Sequence, residues 1–212
     1  MAARRDGAKF SISRVEAFTD GVFAIAATLL VLDLTTTGFG TITTDAGLWA
    51  ALGGMLPEFT AFVVSFLVLC MLWVLHFRQF RELAHADSTL LWINAVRLLF
   101  VVLIPFTTSL SSEYADFVAG RVLLPINVLL ATVLGYLSWA WAASRGGHLL
   151  RRDMEHDLAH DGVGGVAAIV AGAISVVLAP WIGPFAFLAY ALNAPIELVL
   201  TRLRPRRRAP TD

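Results

Sequence analysis

SRVEAFTDGVFAIAATLLVLDL, residues Ser13–Leu34, is apolar enough to cross a membrane, yet it carries Arg14, Glu16 and Asp20 near one end and Asp33 near the other. Its middle offers Ile25, Thr28, Leu29 and Leu32 at i, i+3, i+4 and i+7, the spacing of one helical face. A plain lipid anchor needs neither a buried acid nor such a stripe. The surrounding chain fits a bilayer: 58% of its 212 residues are hydrophobic and 15% are charged, against about half and a quarter in soluble domains. The composition therefore points to an all-α integral membrane protein forming a single domain over residues 1–212. Net charge is zero, so bulk electrostatics give no reason to invoke nucleic acid. Cys70 is the sole cysteine, which excludes an intrachain disulfide, and its apolar surroundings suit a small packing residue. The basic start MAARRDGAKFSIS is not followed by a signal-peptide core with a small-residue cleavage site, so the first apolar run is read as a retained span.

Six segments reach the roughly 20 residues that a hydrocarbon core requires, at about 14–36, 58–80, 88–111, 117–142, 163–180 and 181–201. Pro180, Gly183 and Pro184 divide the last two, and that cut is read as a tight turn; one long kinked span, giving five crossings, is the alternative. Loop charge favours six. Arg4, Arg5, Lys9 and Arg14, then Arg78 and Arg81, then Arg145, Arg151 and Arg152, then the tail arginines from Arg202 to Arg208 all fall on one side. The opposite loops hold Asp45, Glu58, Glu113 and Asp116, with Arg121 as their one basic residue. The positive-inside rule makes residues 1–12 and 202–212 cytoplasmic. The tail is expected to flank the membrane and touch anionic headgroups, and it lacks the interleaved aromatics of a single-strand nucleic-acid binder.

Ser13 with Glu16 fits a capping box for the first helix, and Asp87 or Ser88 can cap the third. Thr35–Pro57 reads as an external polar loop with a short interfacial helix near Leu48–Leu52. The connection Ala143–Gly162 is hydrophilic, and its His148, His156 and His160 are better taken as solvated than as metal ligands, since no compact ligand pair accompanies them. No internal repeat of the kind common in secondary transporters is evident.

Polar groups within the spans gather at one depth: Asp20 in the first, Trp73 and His76 in the second, Asn94 and Arg97 in the third. Intramembrane ionisable residues usually face protein or water. The expectation is a buried network in which Arg14 or Arg97 holds Asp20 while His76 and Asn94 donate hydrogen bonds. That network either locks the helices or takes part in gating. The apolar stripe on the first helix also has a bland explanation, ordinary packing, and Thr28 is of a type often bonded back to its own helix.

Arg14 to Leu32, R-x-x-x-F-T-D-G-V-F-A-I-A-x-T-L-L-V-L, resembles the signature of the transmembrane protein 175 family of potassium channels. The family motif is R-x-x-x-F-S-D, and Thr19 here keeps the hydroxyl of its serine. Further likeness lies in W-x-x-H at Trp73–His76, L-L-x-x-N at Leu90–Asn94 and P-F-x-T at Pro105–Thr108. The resemblance implies a homotetramer of six-helix subunits in a prokaryotic plasma membrane, their first helices lining a central pore for potassium. It implies that Ile25 is the tightest ring, Leu32 a further apolar layer, Thr28 a ring of hydroxyls and Leu29 a flank. Arg14, Phe18, Thr19 and Asp20, with Trp73, His76 and Asn94, would brace the helix from behind. No cofactor, no metal beyond the permeating ion and no small-molecule substrate is implied; the partners would be other copies and the bilayer.

No carbonyl filter of the T-V-G-Y-G kind is present; TVLGY at Thr132–Tyr136 lies inside an apolar helix with no re-entrant loop. Selection would rest on dehydration at a narrow apolar ring, which penalises potassium less than sodium. The rival class is a secondary transporter using Asp20 as a coupling acid. An enzyme is disfavoured, since neither H-E-x-x-H nor G-x-S-x-G occurs.

Overall fold

A computed structural model describes residues 10–144, 149–151 and 158–203, without the side chains of 158–161, 194 and 200–203. His148 and His156, the first nine residues, Arg145, Arg152 and the tail from Arg204 onward lie outside the described residues, and the side chain of His160 does too. Among the described residues, eight α-helices follow one another: α1 (Ile12–Leu29), α2 (Asp45–Gly54), α3 (Leu56–Arg81), α4 (Ser88–Val102), α5 (Ile104–Glu113), α6 (Val118–Ser144), α7 (Leu158–Ile182) and α8 (Asn193–Leu203). By length and composition they make five stretches fit to cross a membrane: Ile12–Phe39, Leu56–Arg81, Ser88–Glu113, Val118–Ser144 and Gly162–Val199.

Each departure from the expected segments has a local cause. α1 stops being α-helical at Leu29 and tightens into a 3-10 turn over Leu30–Asp33, so Leu32 projects from the tighter winding. The Ser13–Glu16 capping box does not form: Ser11 occupies the cap position, and its hydroxyl meets that of Ser13 at 2.9 Å. Asp87 does cap α4, accepting from Leu90 N at 2.8 Å, and its carboxylate also takes the indole N–H of Trp141 at 3.1 Å. The expected third span breaks at Leu103, because Pro105 cannot donate within a helix and instead opens α5 in its first turn. The short helix expected near Leu48–Leu52 is α2, capped by Thr44.

The last apolar region is also re-partitioned. Pro180 lies inside α7, and the chain turns at Gly183, whose φ of +56° belongs to the left-handed region. Gly183–Leu192 then runs as 3-10 helix and α8 continues it, both packed back along α7. Ten residues at about 2.0 Å and eleven at about 1.5 Å make about 36 Å, enough to recross a core of about 30 Å. Gly183→Ala forces a Cβ into left-handed backbone. It is expected to cost about 1 kcal/mol and lower the unfolding temperature in detergent by about 2–4 °C.

Two cores hold the bundle. The central one joins Phe23, Ala26 and Leu30 of the first span to Leu69 and Leu72 of α3, Val101 of α4, Ile104 of α5, Val128 of α6 and Ala171 of α7. The second sits at the end carrying Arg14, Arg78 and Arg81, where Ile12, Phe80, Leu90, Ala142 and Leu149 meet. Backbone bonds between Phe10 and Ala86 pin the start of α1 there. The small residues of α7 serve packing inside the chain: a Cβ on Gly172 would strike the Tyr190 hydroxyl, and one on Gly165 the Tyr136 ring.

Candidate functional site

α1 has two unlike faces. Ile12, Thr19, Phe23 and Ala26 are buried against α3, α4 and α5. Arg14, Phe18, Gly21, Ile25, Thr28 and Leu32 advance by steps of three or four along the other face, with Leu29 beside them, and all are exposed. Ile25 is 61% exposed, Leu32 66% and Phe18 68%. Only 22% of the first span is buried, against 33–44% in the other four. The helix bearing the most polar motif is thus the least covered by its own chain. Thr28 Oγ donates to Ile25 O at 2.8 Å. Its proton is committed to the helix, so the lone pairs face outward and the group acts as an acceptor, suited to a cation.

Thr19, His76 and Asn94 are buried behind the stripe, whereas Asp20 and Trp73 are exposed, so the expected buried network around Asp20 does not form, and the pairing differs from the expected one. Asp20 Oδ1 accepts from Trp73 Nε1 at 2.8 Å; neither Arg14 nor Arg97 holds it. Asn94 Nδ2 donates to Thr19 Oγ at 3.0 Å, so the motif hydroxyl ties α1 to α4. Arg97 reaches the other way. Its Nη1 donates to His76 Nδ1 at 3.1 Å and its Nη2 to the Leu72 carbonyl at 3.3 Å. Since Arg97 can only donate, Nδ1 accepts and the His76 ring is neutral, with its proton on Nε2. That ring lies between Phe80, 4.0 Å away centre to centre, and Phe23 at 6.0 Å, tilted against both. One depth therefore holds three separate contacts fastening α1 to α3, α1 to α4 and α3 to α4. Arg14 and Phe18, expected among the braces, instead point outward with the stripe. Gly135 was missed from sequence, although it sits in the discounted TVLGY: a Cβ there would come within 3.0 Å of the Arg97 guanidinium carbon.

An asparagine at position 20 keeps a carbonyl oxygen for the Trp73 N–H. Asp20→Asn is thus expected to purify with the wild-type elution profile, whereas Asp20→Leu, which leaves that donor without its acceptor, elutes partly as aggregate. Equal behaviour of the two variants on size exclusion would contradict the bracing geometry.

A family model described as endosomal/lysosomal potassium channel TMEM175 matches residues 14–105, the portion that carries the stripe and all three contacts. A potassium channel of Streptomyces collinus is 40% identical over 64% of this chain and 66% of its own length. A potassium channel of Chamaesiphon minutus is 36% identical over 68% of this chain and 72% of its own. The chain belongs to the TMEM175 family. The crystal structure of a TMEM175 homologue from Chamaesiphon minutus, titled a lysosomal potassium-selective channel homologue, matches with a TM-score of 0.69 and 26% identity, over 90% of this chain and 94% of that one. A TMEM175 relative from Mus musculus, named an endosomal/lysosomal proton channel, is 36% identical over 51% of this chain but only 23% of its own length. TMEM175 membership places the chain among channels and not enzymes, and its fold among helical multi-pass membrane proteins.

Proposed function

We propose that this TMEM175 protein conducts potassium through a pore made by the first helices of four copies. The observation that carries the reading is the stripe of Ile25, Thr28 and Leu32, left bare on a helix whose other side packs through Ile12, Thr19, Phe23 and Ala26. Cyclic closure of identical subunits would turn each of these side chains into a ring. Ile25 makes the narrowest apolar ring, Thr28 a ring of outward lone pairs about one turn beyond, and Leu32 a second apolar layer, with Leu29 flanking. An ion passes Ile25 only after losing water, and potassium loses it more readily than sodium; the Thr28 oxygens partly replace what is lost. The contacts of Thr19, Asp20, Trp73, His76 and Asn94 hold α1 upright against this axis. The return of Gly183–Leu203 along α7 is the sixth crossing, which brings both termini to the cytoplasmic side, as the arginine distribution requires.

Asp20 lies away from the stripe and is bonded to Trp73 of its own chain, which favours a brace over a transporter's coupling acid. Purified protein in liposomes loaded with potassium or sodium, with dyes for membrane potential and internal pH, tests the reading. Potassium efflux several-fold faster than sodium efflux is expected. Flux that saturates and depends on a proton gradient indicates the transporter, and a proton current without potassium efflux removes the proposed selectivity.

A further inference from the structure

Arg97 is a guanidinium at membrane depth, 1% exposed, whose bonds run to neutral acceptors on Leu72, His76 and Gln79. Its Nε–H has no hydrogen-bond partner among the described residues. A buried guanidinium whose hydrogen bonds all run to neutral groups is costly to desolvate. The guanidinium walls a partly open cavity of about 300 Å³ lined by residues of α3, α4, α6, α7 and α8. Trp139 lines the same cavity, and its indole N–H is buried and unpartnered; so is the side-chain oxygen of Asn193. Glycines keep the space open. Gly135 gives the guanidinium room, and at Gly164 a Cβ would meet Glu197 only at an ordinary 3.6 Å, so backbone geometry does not demand glycine there.

The unmet groups define a ligand. Arg97 Nε and Trp139 Nε1 can only donate, so they call for acceptor oxygens, whereas Asn193 Oδ1 calls for a proton donor. Arg78 adds a second cation to the lining. Glu82 and Glu197 also line the cavity, each with interactions of its own, and their charge disfavours a fully ionised multivalent anion. A monoanionic oxyanion that keeps at least one hydroxyl meets all three demands: it brings negative charge to Arg97, acceptors to the two N–H groups and a hydroxyl to Asn193.

We infer that the cavity between α3, α6 and α7 is a binding site for a phosphate monoanion or monoester, one per subunit, with Arg97 as its fixed cation. Arg78 and Gln79, in the last turns of α3, put the cavity toward the arginine-bearing end of the bundle, within reach of both aqueous phosphate and a phosphate headgroup of the adjoining leaflet. Occupancy links α3 and α4 to the return segment that ends in α8, so it stabilises the bundle without touching the α1 stripe.

The test uses the full-length protein in phosphatidylcholine nanodiscs, with unfolding temperature measured in sodium phosphate and in sodium chloride of matched ionic strength. A parallel set contains phosphatidic acid and no free phosphate. Stabilisation by about 2–5 °C is expected in at least one arm. A shift in the first arm identifies free phosphate as the ligand, and a shift confined to the second identifies the lipid headgroup. Gly164→Leu, which fills the cavity without altering Arg97, and Asn193→Leu, which removes the acceptor, should each abolish the shift. Radiolabelled phosphate, or phosphatidic acid carried through purification, should be found at one per wild-type subunit. No shift and no retained ligand in wild type, or equal shifts in both variants, would mean a cavity filled by water alone and would overturn the assignment.

Discussion

Ile25→Ala is expected to lower the potassium-to-sodium permeability ratio about tenfold and to raise unitary conductance. In the proposed pore, the barrier that separates the two ions is the cost of stripping water at an apolar ring too narrow for a hydrated ion. If four copies surround the pore as proposed, removing three carbons from each facing side chain lets the ion keep more of its shell. Both barriers fall, and sodium's falls further because its shell is the more tightly held. Tenfold corresponds to ~1.4 kcal/mol of difference between the two barriers. Bi-ionic reversal potentials in planar bilayers give the ratio directly. An unchanged ratio with higher conductance would move the filter away from Ile25, and Thr28, with its outward lone pairs, would be the next candidate.

Gly120→Ala should give the largest loss of stability of any single methyl addition considered. Gly120 begins the climb of α6 directly over the carbonyl of Tyr114, where α5 ends, and a Cβ would fall onto that oxygen. Backbone cannot swing aside as a flexible side chain can. The turn between α5 and α6 must open, which disturbs the bond from Phe117 N to Tyr114 O at 3.0 Å. A cost of about 2–4 kcal/mol is expected, read as a fall of about 5–15 °C in unfolding temperature. Gly135→Ala makes a useful contrast. Its added carbon meets the movable end of Arg97, so the loss should be smaller. Equal losses at the two positions would argue that the α5–α6 corner is not rigid.

Much of this architecture could be read from the sequence because the bilayer simplifies it. Ser13–Leu34 is long, apolar and periodic, so both its helical state and its outward stripe follow from spacing. Asp87 could be recognised as a cap from its place before an apolar run. The break at Leu103 was harder to see: Pro105 opens a helix as readily as it ends one, and the apolar run hid the seam. The Gly183 turn was placed within three residues of Pro180, but the 3-10 winding after it reflects packing against α7, which no local pattern encodes.

The site divides along similar lines. Depth along a helix follows from counting residues, which brought Asp20, Trp73, His76, Asn94 and Arg97 to one level. Direction around each helix depends on how neighbouring helices are rotated, and that decided the partners. Asp20 turns toward α3 and finds the Trp73 N–H, while Arg97 turns toward His76 and Gly135 on its far side. Arg14 and Phe18 share the face of Ile25 by simple helical arithmetic, a fact that their membership in a motif obscured.

The path itself is tested most directly by a single cysteine on the stripe. Leu32→Cys in a Cys70→Ala background puts a thiol in the outer apolar layer, on a side chain that one chain leaves 66% exposed. Potassium current through this variant in planar bilayers should be blocked rapidly and irreversibly by silver ion or a cationic thiol reagent, while Cys70→Ala alone is insensitive. A cysteine that labels fully while the current continues unchanged would show that potassium does not pass along the face of α1.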